Sequence, residues 1–316
     1  MPTGIDIHHD RPLEALAIKA FQGSEGFIAQ KLFPVVPVGK QSDRYYIISR
    51  DEWMRVNDTK RAPKTKANRI EFAVSSNGYF ADNYSLAGDN ALEDLDNADA
   101  AVMLRESTTE NVVEGLLRDF ENRVANLVTS LTNLGSGIAL TGGAKWSDYT
   151  ASDPVANVTT AHAFIMHNTG LRANTLVMDY DTIQVVRRHP MLLDMYKYTQ
   201  GGMLTEDNLR SVFGVETIVV ADAIKNNALI NATASITNIW GNCAILARVV
   251  PGVSKRTATF GLGFRWTPAG LPNNMSVTRQ VFSGAGTENI EVIEAGYFQD
   301  EKIVAKDLAY GIKDTL

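Results

Sequence analysis

The sequence predicts an α+β protein organised around one long helix. From about residue 96 to residue 134 the chain contains no Pro and a single Gly, Gly115. Apolar residues recur there at steps of three and four, which places them on one face of a helix. They are Val113, Leu116, Leu117, Phe120, Val124, Leu127, Val128 and Leu131. Two further patterns complete the prediction: helices and strands alternate between residues 155 and 250, and strands dominate the segments that flank the long helix.

The composition is that of a globular protein. Hydrophobic residues make up 45% of the 316 residues and charged residues 21%, and the net charge is −6. This acidic balance argues against tight nucleic-acid binding over the whole surface, although it is compatible with enclosing nucleic acid. A single cysteine, Cys243, excludes an internal disulfide. Because no apolar run approaches the ~20 residues of a membrane helix and the first residues do not resemble a signal peptide, a reducing cytoplasm is the expected setting.

The first forty residues are predicted to form an arm. A short helix is expected over residues 12–21, and residues 31–38 (KLFPVVPV) form an extended piece. Pro34 and Pro37 lack the backbone N–H that a central strand donates, so this piece is expected at a sheet edge or over another surface. Its apolar side chains need a partner. They are Leu32, Phe33, Val35 and Val36.

Residues 41–81 are predicted to form a β-hairpin with a charged tip. Two strands rich in β-branched and aromatic residues, at 44–48 and 69–74, flank a polar segment. Because a two-stranded ribbon is marginally stable alone, the hairpin is expected to rest on something outside itself. The tip carries five basic residues and no acidic one between positions 60 and 69. The five are Lys60, Arg61, Lys64, Lys66 and Arg69.

An acidic segment follows the hairpin directly. Residues 82–106 hold seven acidic residues against Arg105, a net charge of −6. The basic tip could pair with this segment within one chain or in a neighbouring copy, and the alternative is two separately solvated charge runs. A single exposed ion pair contributes only about 0–1 kcal/mol, so such pairing would mainly set orientation and register.

The rest of the chain is predicted to form an α/β lobe and a returning strand pair. Helices are expected over residues 154–170 and 180–188, with a short strand at 175–178 between them. Further strands are expected at 212–220, 238–250, 257–266 and 275–282, and a strand pair at 289–311 is expected to turn at Gln299-Asp300.

No pattern in the sequence assembles a catalytic or metal site. The five histidines lack the spacing of metal ligands, and no GxSxG elbow occurs. The glycine-rich segment 135–149 lacks the Lys-Ser/Thr ending of a phosphate loop. Cys243 lies among apolar residues and is expected to be a buried, inert thiol. We therefore predict no enzymatic activity, no cofactor and no metal.

Short motifs between residues 146 and 226 carry a family resemblance. They are Trp146-Ser147-Asp148, Ser152-Asp153-Pro154, Asn174-Thr175-Leu176-Val177-Met178, His189-Pro190, Phe213-Gly214-Val215 and Ala221-Asp222-Ala223. Together with the order of arm, hairpin, acidic connector, long helix and lobe, they resemble the Hong Kong 97-type fold of tailed-phage major capsid proteins. Ala173 departs from the Pro that such proteins often have before Asn-Thr. In that family these motifs mark turns and junctions, and none is catalytic.

The resemblance implies four parts. They are an N-terminal arm (1–40), an E-loop hairpin (41–81), a P-domain (82–150 and 285–316) that contains the long helix, and an α/β A-domain (151–284). We call the long helix the spine helix.

The resemblance also implies a function and partners. The chain is expected to be a major capsid protein that self-assembles through hexamers and pentamers into the icosahedral head shell of a tailed bacteriophage. The shell would enclose double-stranded DNA without sequence-specific binding, and it would meet scaffolding, portal and decoration proteins but no membrane. Assembly is expected in the host bacterial cytoplasm, and the virion capsid is the final location.

On this interpretation, the five basic residues of the hairpin tip and the four apolar residues of the arm contact adjacent subunits. Two alternatives remain open at this point. One is an encapsulin-type shell that holds cargo enzymes instead of a genome. The other is a soluble α/β enzyme with a regulatory arm, which would form a small oligomer and contain a pocket with converging polar groups.

Overall fold

A computed structural model provides the structure of the chain. It describes residues 8–9, 26–48, 54, 56–64, 66–67, 69, 74–97, 101–196, 205–229, 232–252, 258–268, 275–283 and 289–316. The helix predicted at residues 12–21 lies outside these residues, as does most of the predicted strand at 69–74.

The order of elements follows the predicted sequence of parts. The arm contributes β1 (His8–His9), α1 (Ala29–Leu32) and β2 (Val35–Val38), the hairpin is β3 (Ser42–Ile48) and β4 (Val74–Phe80), and β5 (Asp82–Ala91) leads into α2 (Leu92–Asn97) and the spine helix α3 (Ala101–Thr129). The lobe contains β6 (Ser136–Ala139), α4 (Pro154–Thr169), β7 (Thr175–Asp179), α5 (Tyr180–Arg188), α6 (Pro190–Tyr196), α7 (Glu206–Phe213), β8 (Thr217–Ala221), β9 (Ile224–Asn226), β10 (Ile236–Asn238) and β11 (Cys243–Ala247). The chain returns through β12 (Gly261–Trp266), β13 (Ser276–Phe282), β14 (Ile290–Ile303) and β15 (Ala309–Lys313).

The spine helix packs against two separate cores. It is 29 residues long, which corresponds to ~43 Å at ~1.5 Å per residue. Val113, Leu116 and Leu117 pack under one large sheet, whereas Phe120 and Val124 belong to the core of the lobe. The predicted apolar face is therefore confirmed over residues 113–128, and it is divided along the helix between the two cores. The predicted helix of about 96–134 is shorter than expected, and Leu131 lies in a 3₁₀ turn after its end.

Most of the described strands lie in two large sheets. The first has the order β1-β13-β14-β12-β2, with β5 on the other side of β14. The second has the order β6-β15-β11-β7-β8. Two ribbons, β3-β4 and β9-β10, complete the set of strands in the described part of the chain.

This pairing corrects the predicted division of residues 151–316. β12 and β13, expected in the A-domain, pair with β14 in the first sheet, and β15, expected in the P-domain, pairs with β11 in the second. The strand pair predicted at 289–311 is also wrong, because β14 runs through Gln299-Asp300 without a turn. Apolar alternation shows which face of a strand is buried, but it does not identify the neighbouring strand.

Within the lobe the predicted helices are confirmed, with one correction near residue 212. The carboxylate of Asp153 accepts a hydrogen bond from the backbone N–H of Ala156 and so caps α4, which ends at Gly170 with φ 68°. The predicted strand at 212–220 begins later, because α7 extends to Phe213 and Gly214 ends it in the left-handed conformation. No helix in the described residues combines the length and the hydropathy needed to cross a membrane.

Candidate functional site

The base of the hairpin is fixed to the first sheet by aromatic stacking. The rings of Tyr45 and Tyr79 stack on the ring of Phe264 in β12, with centroid separations of 5.3 and 4.6 Å. The backbone N–H of Phe80 donates to Oδ2 of Asp300 in β14 at 2.9 Å. Gln41 donates its side-chain amide to the carbonyl of Ala81 at 3.1 Å. The direction in which the hairpin leaves the body is therefore set by packing at its base, as the prediction of an external support requires.

The tip of the hairpin presents unpaired positive charge. All five basic residues, Lys60, Arg61, Lys64, Lys66 and Arg69, are exposed. Within the described residues, no ion pair joins any of them to an acidic residue of the same chain. Met54, which follows β3 in the hairpin, lies near the end of α4. A Cβ atom added at Gly170 would be 3.5 Å from Cε of Met54. Intrachain pairing of tip and acidic segment is not seen among these residues.

A matching strip of unpaired negative charge lies along α2 and the start of the spine helix. Its exposed members are Glu93, Asp94, Asp96, Glu106 and Glu110. In the described part of the chain none of them forms an ion pair, whereas two acidic residues further along the spine helix are paired with arginines four positions later. Asp99, the remaining acidic residue between Asp96 and Glu106, lies outside the described residues. Two exposed surfaces of opposite charge are therefore without ion-pair partners among the residues that the structure describes.

The root of the arm corrects two of the predicted contact residues. The side chains of Leu32 and Phe33 are 1% and 0% exposed. Phe33 packs edge-to-face on Phe260, with ring centroids 5.6 Å apart. These two side chains complete the core of their own chain, so they are not free to contact a neighbour. The arm sequence could not show this, because the residues that cover these side chains lie far along the chain, on the spine helix and at Phe260.

Val35 and Val36 lie in a different setting. They belong to β2, which pairs in parallel with β12 at the edge of the first sheet. Of the two predicted settings, a sheet edge or another surface, residues 35–38 take the sheet edge, whereas residues 31–32 belong to α1 and are not extended. Both side chains are only partly buried, and their contact with an adjacent subunit stays a prediction.

Glu121 is one of several buried charged residues that the sequence did not reveal. Charged residues on a helix are usually exposed, yet the side chain of Glu121 is 0% exposed. Its Oε2 accepts hydrogen bonds from the backbone N–H groups of Ala29 at 2.8 Å and Ile28 at 3.0 Å, and its Oε1 accepts from the indole N–H of Trp240 at 2.5 Å. Burial raises the pKa of Glu121, and these N–H donors oppose that rise. One carboxylate therefore joins arm, spine and lobe.

A serine–histidine pair in the lobe has the wrong polarity for catalysis. Oγ of Ser152 lies 3.0 Å from Nε2 of His189. The same hydroxyl donates to the carbonyl of Asp148 at 2.7 Å. Since a hydroxyl has one proton, Nε2 must be the donor to Ser152, whereas a catalytic histidine would accept the serine proton. Nδ1 of His189 has no hydrogen-bond partner among the described residues, so no acidic group orients the ring.

Other chemistry is equally unsupported in the described residues. No group of three His, Cys, Asp or Glu side chains there is arranged to hold a metal ion. Cys243 is buried, and burial raises the pKa of its thiol to about 12, which keeps the thiol protonated and unreactive. The features that stand out are surfaces and anchors rather than a reactive centre.

Comparison with known proteins bears on these surfaces. No family model matches the chain. The chain is 29% identical over 262 residues to the major capsid protein of Pseudomonas phage JBD67, which covers 81% of this chain and 82% of that protein. It is 27% identical over 226 residues to the major capsid protein of Burkholderia phage BcepMu, which covers 71% of each.

Solved structures share the architecture over almost the whole chain. A phage-related protein from Bordetella bronchiseptica RB50 superposes with a TM-score of 0.75 at 22% identity over 97% of both chains. The capsid protein of cyanophage P-SCSP1u superposes with a TM-score of 0.60 at 12% identity, over 92% of this chain and 88% of that one. The chain has the phage capsid fold. The predicted resemblance to tailed-phage major capsid proteins and the predicted α+β capsid architecture are therefore both confirmed.

The capsid fold gives the two charged surfaces a context. A capsid subunit is surrounded by copies of itself, and complementary surfaces on one chain can then be satisfied between copies. A chain of the virus-like particle from Pyrococcus furiosus also superposes, with a TM-score of 0.53 at 13% identity over 95% of this chain and 98% of that one.

Proposed function

We propose that this chain is the major capsid protein of a tailed phage and that its copies form the head shell. The observation that carries the proposal is the similarity to two phage major capsid proteins over 71% to 81% of the chain. The shared fold supports it over nearly the full length. A subunit of a shell has a structural role, and the reversed polarity of the Ser152–His189 pair supports the absence of hydrolytic chemistry there.

The proposal also covers how the copies assemble, which proteins they meet and what the shell encloses. Hexamers and pentamers of the chain would close the shell in the host cytoplasm, with portal, scaffolding and decoration proteins at particular positions. The shell would hold double-stranded DNA without reading its bases. A net charge of −6 supports this, because an acidic wall weakens adhesion of the phosphate backbone.

Within the shell, we assign the contact between subunits to the hairpin tip. The basic tip (Lys60, Arg61, Lys64, Lys66, Arg69) pairs with the acidic strip (Glu93, Asp94, Asp96, Glu106, Glu110) of an adjacent copy. Two observations support this pairing: both sets are exposed, and neither forms an ion pair within the described part of the chain. Val35 and Val36, partly buried at the edge of the first sheet, add an apolar contact at the root of the arm. We keep the division into four parts, with β12 and β13 counted with the P-domain and β15 with the A-domain.

Electron microscopy of the purified chain tests the shell. Negative-stain images are expected to show closed particles of uniform size that contain nucleic acid when isolated from an infected host. Particles that contain only protein cargo would favour the encapsulin-type alternative. A small oligomer that never closes would contradict the proposal.

Charge reversal tests the contact. Lys60→Glu, Lys64→Glu and Lys66→Glu together are expected to abolish closed particles while leaving the circular dichroism of the subunit unchanged, because like charges then face each other. Combining them with Glu93→Lys, Glu106→Lys and Glu110→Lys is expected to restore particles. The matched control reverses the exposed residues Lys40, Arg172 and Lys306 and changes the net charge equally. Normal particles from the first variant would contradict the pairing.

A further inference from the structure

The sequence contains one Asn-Gly pair, Asn77-Gly78, and it lies in β4 of the hairpin. Because glycine has no side chain, its backbone nitrogen is open to reaction with the side chain of the asparagine before it. A sheet protects such a pair when the N–H of the glycine is hydrogen-bonded to a partner strand. Both residues are exposed, so protection of the pair depends on where the N–H of Gly78 points.

The N–H of Gly78 points away from the partner strand. The backbone N–H of Ala81 donates to the carbonyl of Gln41 at 2.9 Å, which identifies one hydrogen-bonded position of the hairpin. Hydrogen-bonded and non-hydrogen-bonded positions alternate along an antiparallel pair. Gly78, opposite Arg44, therefore lies at a non-hydrogen-bonded position. The N–H of Phe80 points outward in the same way and donates to a side chain of β14 instead.

The outward N–H of Gly78 is bound by the side chain of Asn77. Oδ1 of Asn77 accepts a hydrogen bond from this backbone nitrogen at 2.9 Å. Since Cγ is bonded to Oδ1 at ~1.23 Å, the nitrogen lies at most about 4.1 Å from Cγ. The space around Gly78 is open, because an added Cβ would meet only the carbonyl oxygen of Asp43, at 4.0 Å. The hairpin thus holds a nucleophilic nitrogen beside an amide carbon, and such proximity lowers the barrier to their reaction.

We propose that Asn77 is a site of spontaneous deamidation in the folded subunit. The nitrogen of Gly78 gives its proton to the solvent and attacks Cγ of Asn77, so that an N–Cγ bond forms. The Cγ–Nδ2 bond then breaks, and Nδ2 takes up a proton and leaves as ammonia. Water opens the resulting five-membered imide at one of its two carbonyls, which leaves aspartate or isoaspartate at this position. Water is the only other reactant, and the inference does not depend on the proposed function.

Deamidation would change the base of the hairpin. Both products add a negative charge to β4, and isoaspartate also adds a methylene group to its main chain. Asn77 lies opposite Tyr45 and is a hydrogen-bond partner of its hydroxyl, and two residues later Tyr79 stacks, like Tyr45, on Phe264. Because a longer main chain disturbs the register of a strand pair, isoaspartate is expected to weaken the stacking that supports the hairpin.

Mass spectrometry of the incubated protein tests the site. After storage of the folded protein in mildly alkaline buffer, trypsin cleavage at Arg69 and Arg105 gives one peptide that contains Asn77. The same peptide contains three asparagines that do not precede glycine and serve as internal controls. They are Asn83, Asn90 and Asn97. Asn77 is expected to gain the mass of the amide-to-carboxylate change on the order of tenfold faster than these three, because only its neighbour lacks a side chain.

Two further comparisons decide whether the folded hairpin permits the reaction. Gly78→Ala places a methyl group in open space within a strand, so the variant should fold, and deamidation should slow by on the order of tenfold. The unchanged chain unfolded in guanidinium chloride is the reference, and the folded protein should react within about threefold of its rate. Asn77 that stays intact in the folded protein while it reacts in the unfolded chain would overturn the inference. Equal rates for Asn77 and the three control asparagines would do the same.

Discussion

At the scale of single residues, a buried carboxylate connects three parts of the subunit. Glu121 accepts hydrogen bonds from the first turn of α1 and from Trp240 while it sits inside the spine helix. A buried charge is tolerated only when its oxygens are satisfied, and truncating one partner leaves the others unpaired. The residue therefore determines where the arm leaves the body.

Glu121→Gln is expected to destabilise the subunit by about 2–4 kcal/mol, because the Gln NH₂ would face N–H donors. Urea unfolding followed by circular dichroism measures this change, and limited proteolysis should show faster cleavage near residues 26–33. Glu110→Gln, an exposed change on the same helix, is the control and should have an effect within about 0.5 kcal/mol. Equal stability of the two variants would contradict the anchoring role of Glu121.

A second residue-scale prediction concerns pH. Burial and the nearby carboxylate of Asp181 raise the pKa of Asp179 to about 6. An acid with a raised pKa in the folded state holds its proton more tightly than it does in the unfolded chain, so its contribution to stability is lost as pH rises from below 4 through about 6. This rise in the pKa of Asp179 corresponds to a loss of up to about 3 kcal/mol in the free energy of unfolding.

Asp179→Asn is expected to remove this loss, since Asn also caps helices well. The free energy of unfolding, measured in urea at pH 4 and at pH 7.5, should fall less with pH in the variant than in the unchanged chain. The difference between the two curves should grow as pH rises. Asp96→Asn, exposed on α2, should leave the pH dependence unchanged. Parallel curves for Asp179→Asn and the unchanged chain would show that folding does not raise the pKa of Asp179.

At the scale of elements, close contact between the arm root and β12 fixes the first sheet to the body. A Cβ atom added at Gly261 would lie 2.5 Å from Cε1 of Phe33. The ring of Phe33 is fully buried and packs edge-to-face against Phe260, so it has no room to move away. Gly261 is therefore required by packing, at the point where β12 passes over the arm.

Gly261→Ala is expected to cost about 1–3 kcal/mol, the usual cost of overpacking a core. Thermal unfolding of the subunit checks it. The matched control is Gly39→Ala, where an added Cβ meets no atom within 4 Å, and its effect should be close to zero. A Gly261→Ala subunit as stable as Gly39→Ala would show that Phe33 can shift without loss.

At the scale of the whole molecule, we expect the two charged surfaces to find their partners on neighbouring copies. The tip and the acidic strip are exposed, and among the described residues neither forms an ion pair within the chain. A single surface pair is weak. In the proposed shell such pairs would be repeated around every subunit, where they would add to the apolar contacts and select the neighbour.

Cleavage by trypsin is expected to distinguish free subunits from closed particles. The five basic residues of the tip are cleavage sites that are exposed in the free subunit. Free subunits should therefore be cut between residues 60 and 69 within minutes, whereas closed particles should resist cutting there. Mass spectrometry of the fragments identifies the sites, and particles dissociated in mild denaturant and returned to buffer provide the control. Tip cleavage at the same rate in particles and in free subunits would contradict burial of the tip by a neighbour.

Much of this molecule follows from local sequence. The periodicity of residues 113–128, the Asp153-Pro154 start of α4 and the position of residues 35–38 at a sheet edge each depend on interactions between residues near in sequence or on the geometry of Pro. Such features are confirmed because backbone propensity and side-chain alternation act over a few residues. The positive charge of the hairpin tip also follows from local sequence, since that prediction required only that the tip be exposed.

Only the tertiary structure decided how distant pieces combine. The sequence by itself determined the spine helix, the order of the parts and the resemblance to a capsid fold. It did not determine that β12 and β13 join β14, that Leu32 and Phe33 close their own core, or that Glu121 is buried under Ile28 and Trp240. These outcomes depend on contacts between residues that lie far apart in the chain, where many pairings satisfy the same local pattern and packing selects one of them.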